Sequence, residues 1–164
     1  MDYTRFIRDI PDYPKPGIIF KDITPLWKDP AALAASAAGL ADRFRDKGIK
    51  FVVGAEARGF IVGVAVALSL GAGFVPVRKP GKLPYRTISE SYELEYGTDT
   101  LEMHEDALAA GDRVLVVDDL LATGGTVAAI LKMIRRQGAE PVGVAALVEL
   151  SFLDPAARID VPIE

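Results

Sequence analysis

Val114-Leu115-Val116-Val117-Asp118-Asp119-Leu120-Leu121-Ala122-Thr123-Gly124-Gly125-Thr126 reads as an apolar strand, a pair of carboxylates, a small-residue turn and the start of a helix. Val114 to Val117 has no polar member, which predicts a central parallel strand covered on both faces and ending where the acids begin. Ala122, Thr123, Gly124, Gly125 and Thr126 then offer hydroxyls and unpaired backbone N–H groups at the head of the periodic run Val127 to Ile134. The positive end of a helix dipole at that point favours an anion. Asp118 and Asp119 would repel a phosphate and suit vicinal ribose hydroxyls or a hydrated cation better. A plain strand-to-helix turn rarely needs two acids, two glycines and two threonines together.

Outward from this stretch the chain keeps one rhythm. Asp29-Pro30 predicts a capped helix start and Gly48 a stop, with Leu33, Ala37, Leu40, Ala41 and Phe44 on one face between them. Phe51 to Gly54 predicts a short buried strand, Gly59 to Leu70 a helix closed by Gly71, and Phe74 to Val77 a second parallel strand, a βαβ unit. Residues 79–90 carry Pro80, Gly81 and Pro84 without apolar periodicity, which predicts a mobile loop. Tyr92 to Tyr96 and Thr98 to Met103 alternate around Gly97 and predict a hairpin. Gly125 to Gln137, closed by Gly138, predicts a helix, and Val142 to Leu150 a returning strand. The fold class that follows is α/β: a doubly wound, mostly parallel sheet with a loop-and-hairpin insertion. Ile159 to Glu164 looks like a final strand stopped short, so further residues are expected beyond it.

The 164 residues suit one domain with a single core. The most apolar stretch, Phe60 to Val77, is interrupted by Ser69, Pro76 and glycines and does not read as a membrane span. Arg5, Arg8 and Asp9 break any apolar leader near Met1, and the chain has no cysteine, which removes disulfides, thiol catalysis and thiolate metal sites. A cytoplasmic location is the expectation. The net charge of −4 argues against a broad nucleic-acid surface. Charge is nevertheless segregated, because Arg78, Lys79, Lys82 and Arg86 cluster without an acid, whereas 87–112 holds acids and one histidine, His104. Such a cluster suits one small, highly charged ligand. The backbone amides of Gly54 to Gly59, together with Arg58, could hold a second anion at a helix start. His104 has no Cys or His partner nearby in sequence and reads as a surface or interface residue.

The segment Asp118 to Thr126 resembles the phosphoribosyl-pyrophosphate (PRPP) motif of the type I phosphoribosyltransferases, and its wording is similar to the adenine-using branch of that family. The resemblance covers about residues 10–153 and rests on four further segments in order: Pro14 to Leu26, Glu56 to Phe60, Arg78 to Pro84 and Tyr92 to Gly97. It implies a single phosphoribosyltransferase domain over 1–164, with an N-terminal hood at 1–28 and a flexible loop and hairpin at 79–103. It also implies a homodimer, a need for Mg2+ held mainly by PRPP and water near Asp118 and Asp119, and no direct protein ligand to the metal. The reaction implied is purine salvage, in which the 5-phosphoribosyl group moves from PRPP to adenine to give AMP and pyrophosphate.

The resemblance assigns ribose to Asp118 and Asp119, the 5′-phosphate to Ala122, Thr123, Gly124, Gly125 and Thr126, and pyrophosphate to Glu56, Ala57, Arg58, Arg78, Lys79 and Lys82. Relatives often carry a cis peptide at the position of Glu56-Ala57, and commonly Asp-Ser in place of this Glu-Ala pair. Arg58, Lys79 and Lys82 would stabilise the leaving group, and Glu95 would serve acid/base work near N7 of the purine. A solvent-facing hairpin glutamate is the other reading of Glu95. Phe20 would stack on adenine, the backbone of Ile19 and Lys21 would read its N1 and N6 edge, and Leu150 would close the opposite face. Ordinary core roles stay open for Phe20 and Leu150. Two other functions remain: a PRPP-binding regulator of the same fold without catalysis, and a transferase for another purine such as xanthine. The absence of a helix-turn-helix ahead of the match counts against the first, and the hood segment against the second.

Overall fold

The protein is described by a computed structural model covering residues 1–93 and 97–164. The chain forms two compact units, Met1–Gly39 and Leu40–Glu164. In the first, β1 (Arg8–Pro11) and β2 (Ile19–Asp22) pair antiparallel, with Arg8 opposite Asp22 and Pro11 opposite Ile19. Asp22 accepts from the backbone and hydroxyl of Thr24 at 2.9 and 3.0 Å, which turns the chain into the short helix α1 (Thr24–Lys28). These hydrogen bonds, with the Arg8 guanidinium at 3.0 Å, hold the Asp22 carboxyl below its usual range. Asp29 then caps α2 (Pro30–Asp42), accepting from the Ala32 amide at 2.8 Å as the Asp-Pro pair predicts.

The second unit begins in the last turn of α2 and is built on four parallel strands. These are β3 (Phe51–Ala55), β4 (Gly73–Val77), β7 (Arg113–Leu121) and β8 (Glu140–Glu149), in the spatial order β4-β3-β7-β8. Helix α3 (Arg58–Leu70) links β3 to β4 on one side of that order, and α4 (Gly125–Arg136) links β7 to β8 on the other. Right-handed crossovers running in opposite directions put the two helices on opposite faces, which is the doubly wound arrangement. Val114 to Val117 are fully buried between them, each valine or leucine stabilising the fold by roughly 1.5–3 kcal/mol. Gly71 and Gly138 close the helices with φ of 68° and 77°. The strand order reverses between β3 and β7, and in open α/β sheets the crevice beyond the strand ends at such a point receives ligands.

Three elements depart from the sequence reading. Helix α2 ends at Asp42, and the chain reaches Gly48 through a 3-10 turn, Arg45–Lys47, with Gly48 left-handed at φ 64°. Phe44 nevertheless stays buried against Gly143, so the apolar spacing survives the change of helix type. The hairpin strands are β5 (Thr87–Glu93) and β6 (Thr98–His104), so β5 starts inside the segment read as loop, while the rest of the strand predicted to Tyr96 lies outside the described residues. After Thr87 its half-buried positions alternate as Ile88, Glu90 and Tyr92. The middle one is charged because it pairs with Lys132 and Arg136 of α4 at 3.1 and 3.5 Å. Finally, β7 does not stop at the acids but continues to Leu121, which makes Asp118 and Asp119 strand residues. In the C-terminal segment Ile163 bridges Val144 in parallel, adding the start of a strand beside β8.

Candidate active site

The turn after β7 forms a cradle of about 80 Å³ lined by Asp118 and the run from Leu120 to Val127. That is room for two or three waters, or one tetrahedral anion. Gly124 precedes the helix in the left-handed region at φ 78°, and its carbonyl accepts from Ala128, so α4 opens with its first amides facing the turn. A side chain at Gly124 would also meet the Pro155 carbonyl at 3.0 Å. The cradle brings Ala122, Thr123, Gly124, Gly125 and Thr126 together as the sequence indicates.

The acids sit where β7 meets the N-terminus of α3. The Asp118 carboxylate packs on Gly59 so closely that a Cβ there would lie 2.8 Å from Oδ1. Burial, and then the charge of Asp119, push the Asp118 carboxyl up to about 7. Asp119 is buried, and Arg58 Nε lies 2.9 Å from its Oδ2. The distance is that of an ion pair but the N–H does not point at the oxygen, and among the described residues no donor satisfies Oδ2. A buried acceptor left in this way fits a ligand hydroxyl or a water of a bound cation.

On the other side of the switch point the turn after β3 contains the cis peptide Glu56-Ala57, at the position the resemblance indicates. The Glu56 carboxylate is the hub of the basic loop. It accepts from the Lys79 amide at 2.7 Å, from Arg78 Nη2 at 3.0 Å and from Lys82 Nζ at 3.4 Å. Burial raises the Glu56 carboxyl, but these donors outweigh it and the net position is below the usual value. The loop is fastened to β6 as well, through the Arg78–Glu102 backbone bridge and the Gly81 amide on Glu102 at 3.0 Å. The Arg78 and Lys82 side chains and the Lys79 amide thus surround one carboxylate, with Arg58 two residues along the same turn from it. An incoming anion with several charges would compete for these cations with Glu56.

The family model for the phosphoribosyl transferase domain matches residues 25–161. The adenine phosphoribosyltransferase of Serratia proteamaculans is 62% identical over 154 residues, covering 94% of this chain and 78% of the relative. The chain belongs to the adenine phosphoribosyltransferase family. A crystal structure of adenine phosphoribosyltransferase from Thermoanaerobacter pseudethanolicus superposes with a TM-score of 0.96 at 50% identity, over 99% of this chain and 95% of that one. That from Saccharomyces cerevisiae, complexed with an imino-altritol bisphosphate and adenine, superposes with a TM-score of 0.93 at 36% identity, over 99% and 93%.

Within the adenine phosphoribosyltransferase frame, the remaining sequence candidates lie on other elements. In the first unit Ile19, Phe20 and Lys21 all lie on β2; Phe20 is half-buried edge-on to Tyr13 at 5.2 Å, Ile19 is exposed, and Lys21 is held by Asp9 at 2.6 Å. Leu150, half-buried, follows β8, its amide donating to the Leu121 carbonyl at 2.9 Å. Glu95 lies outside the described residues. His104 meets Tyr85 edge-on at 6.1 Å and is not among the residues that line the cradle. Two site neighbours escaped sequence reading. The Tyr92 hydroxyl lies 3.2 Å from Thr126 Oγ1, and Asp99 holds Lys79 at 3.0 Å. The only sequence signal for either was its place on a hairpin beside the basic loop.

Proposed function

We propose that this protein transfers the 5-phosphoribosyl group of PRPP to N9 of adenine, releasing AMP and pyrophosphate. The observation that supports this is the arrangement, on either side of one strand-order reversal, of a small-residue turn opening a helix and a turn beside the basic loop, with Asp118 and Asp119 between them. The relatives named as adenine phosphoribosyltransferases, and the Saccharomyces cerevisiae structure that contains adenine, supply the base.

In this scheme Ala122 to Thr126 hold the 5′-phosphate, Asp118 and Asp119 accept from the ribose hydroxyls, and Arg58, Arg78, Lys79 and Lys82 hold pyrophosphate. Glu56 contributes its backbone with Ala57, while its carboxylate keeps the cations gathered until pyrophosphate takes its place. As the bond from C1 to the pyrophosphate oxygen breaks, negative charge grows on that oxygen and the cations stabilise it. N9 of adenine bonds to C1, and the proton it sheds is taken up with help from Glu95. Phe20 stacks on the base, the Ile19 and Lys21 backbone reads its N1 and N6 edge, and Leu150 closes the other face. Mg2+ bound with PRPP would supply positive charge to the leaving group, and Asp119, whose Oδ2 has no hydrogen-bond donor among the described residues, would hold its water shell with Asp118 beside it.

The chain acts as one phosphoribosyltransferase domain with a hood at 1–28 and a loop and hairpin at 79–103, working in the cytoplasm as a homodimer. Ile61, Val64 and Leu68 support the dimer: they form an apolar stripe on α3 and are 45%, 41% and 78% exposed. Light scattering at the mass of one chain would reject the dimer. For the reaction, purified protein given PRPP, Mg2+ and adenine should yield AMP and pyrophosphate in equal amounts. Binding of PRPP without turnover of any base would reject catalysis in favour of a regulator.

A further inference from the structure

Lys79 makes a second contact that leads away from Glu56. Its Nζ lies 3.0 Å from Asp99 Oδ2 on β6. The same carboxylate oxygen accepts, at 3.5 Å, from the hydroxyl of Tyr92, its register partner across the hairpin. Tyr92 in turn accepts from Thr126 Oγ1 at 3.2 Å. Its ring is set against Gly125, where a Cβ would come within 3.1 Å, and this packing helps fix the hydroxyl. Four side chains, Thr126, Tyr92, Asp99 and Lys79, therefore run in a line from the cradle after β7 to the basic loop. The Lys79 hydrogen bond holds the Asp99 carboxyl below its usual range, and the Asp99 hydrogen bond raises Lys79, so both are charged.

We propose that Asp99, braced by Tyr92, is a positioning residue for pyrophosphate exchange, the resting partner that Lys79 leaves when pyrophosphate arrives and regains when it departs. This rests on the pyrophosphate grip assigned to Lys79 above. An ammonium drawn to a carboxylate gives up part of that attraction to bind another anion, so Asp99 lowers the affinity for pyrophosphate and speeds its release. Tyr92 keeps the acceptor in place while Lys79 is away. The Thr126 hydroxyl can turn its proton to a phosphate without disturbing this brace, because the Tyr92 proton is the one donated to Asp99.

Calorimetric titration of pyrophosphate with Mg2+ into the intact protein and its variants tests the inference. Asp99→Asn should bind pyrophosphate about two- to fivefold more tightly, the size expected for a part-exposed ion pair. Asp99→Glu, whose carboxylate still reaches the ammonium, should return the affinity towards the parent value. Tyr92→Phe should shift it in the same direction as Asp99→Asn by a smaller factor. In a Lys79→Gln background, Asp99→Asn should change nothing, because the ammonium it competes for is gone. Unchanged or weaker pyrophosphate binding by Asp99→Asn overturns the inference, as does an equal effect of that substitution with and without Lys79. If Asp99→Asn fails to fold, Asp99→Glu and Lys79→Gln carry the test, and Lys79→Gln binding as tightly as the parent overturns it. A parent that binds no pyrophosphate overturns the grip and the inference together. A parent that binds it but makes no AMP overturns the function alone.

Discussion

Gly59→Ala should damage PRPP use far more than folding. Gly59 is the second residue of α3, and a Cβ there would stand 2.8 Å from Asp118 Oδ1 and 3.5 Å from the Val117 carbonyl. Ordinary contact begins near 3.4 Å, so the carboxylate must withdraw by about 0.6 Å or α3 must lift from β7. Overpacking of this kind costs about 1–3 kcal/mol, while alanine regains up to about 1 kcal/mol of helix propensity over glycine. The net fold cost is therefore roughly 0–2 kcal/mol, a fall in melting temperature of no more than about 8 °C for a chain of this size. Asp118 pays in function, since a displaced carboxylate loses charged hydrogen bonds to ribose worth about 1.5–3 kcal/mol. In kcat/KM for PRPP that is a loss of roughly 10- to 150-fold. Initial rates of AMP formation with PRPP varied, alongside thermal melting, measure both effects. Parental kcat/KM for PRPP in a folded Gly59→Ala protein would refute the placement of Asp118 against the ribose.

Other substitutions probe the remaining contacts. Asp118 has a folded-state pKa pushed up to about 7 from 3.8, so its contribution to stability is greatest below pH 4 and is lost as pH rises towards 7. Asp118→Asn should accordingly raise the melting temperature at pH 8 more than at pH 5 while weakening PRPP use; a larger gain at pH 5 would contradict the burial of that charge. Asp112 is the opposite case: the Lys50 ammonium at 2.6 Å and then the Ala109 amide hold its carboxyl below the usual range. That stability is present above pH 4 and lost as pH falls through the lowered folded pKa, so Asp112→Asn should lower the melting temperature at pH 7, and the gap should narrow as the pH falls below 4. Lys82→Ala should lower kcat with little change in the adenine KM; a raised adenine KM with kcat intact would assign the loop to base recognition. Asp119→Asn should spare folding and raise the KM for PRPP, and unchanged PRPP kinetics would remove Asp119 from the site.

Much of the fold is legible because the strands of the parallel sheet are apolar through their middles and α3 and α4 are closed by a left-handed glycine, Gly71 and Gly138. What is not legible depends on partners far along the chain. Glu90 hides the alternation of β5, since an inward charge reads as a loop residue until Lys132 and Arg136 are seen beside it. Asp118 and Asp119 look like the end of a strand, yet the strand carries on because Gly59 leaves room for one carboxylate and Arg58 lies close to the other. The phosphate cradle is readable from small residues and hydroxyls in sequence. The gathering of Arg78, Lys79 and Lys82 on Glu56 is not, because it requires β4 and the turn after β3 to end side by side. For the same reason Tyr92 and Asp99, adjacent only through hairpin register, carry no sequence signal for their contacts.

The central claim is that the base transferred is adenine. A single reaction containing the protein, PRPP, Mg2+ and equal amounts of adenine, guanine, hypoxanthine, xanthine and uracil, with the nucleotide products separated by mass, tests it directly. The expected result is AMP in large excess over every other nucleotide, with pyrophosphate matching it. Another nucleotide in excess, with AMP scarce or absent, would contradict the account.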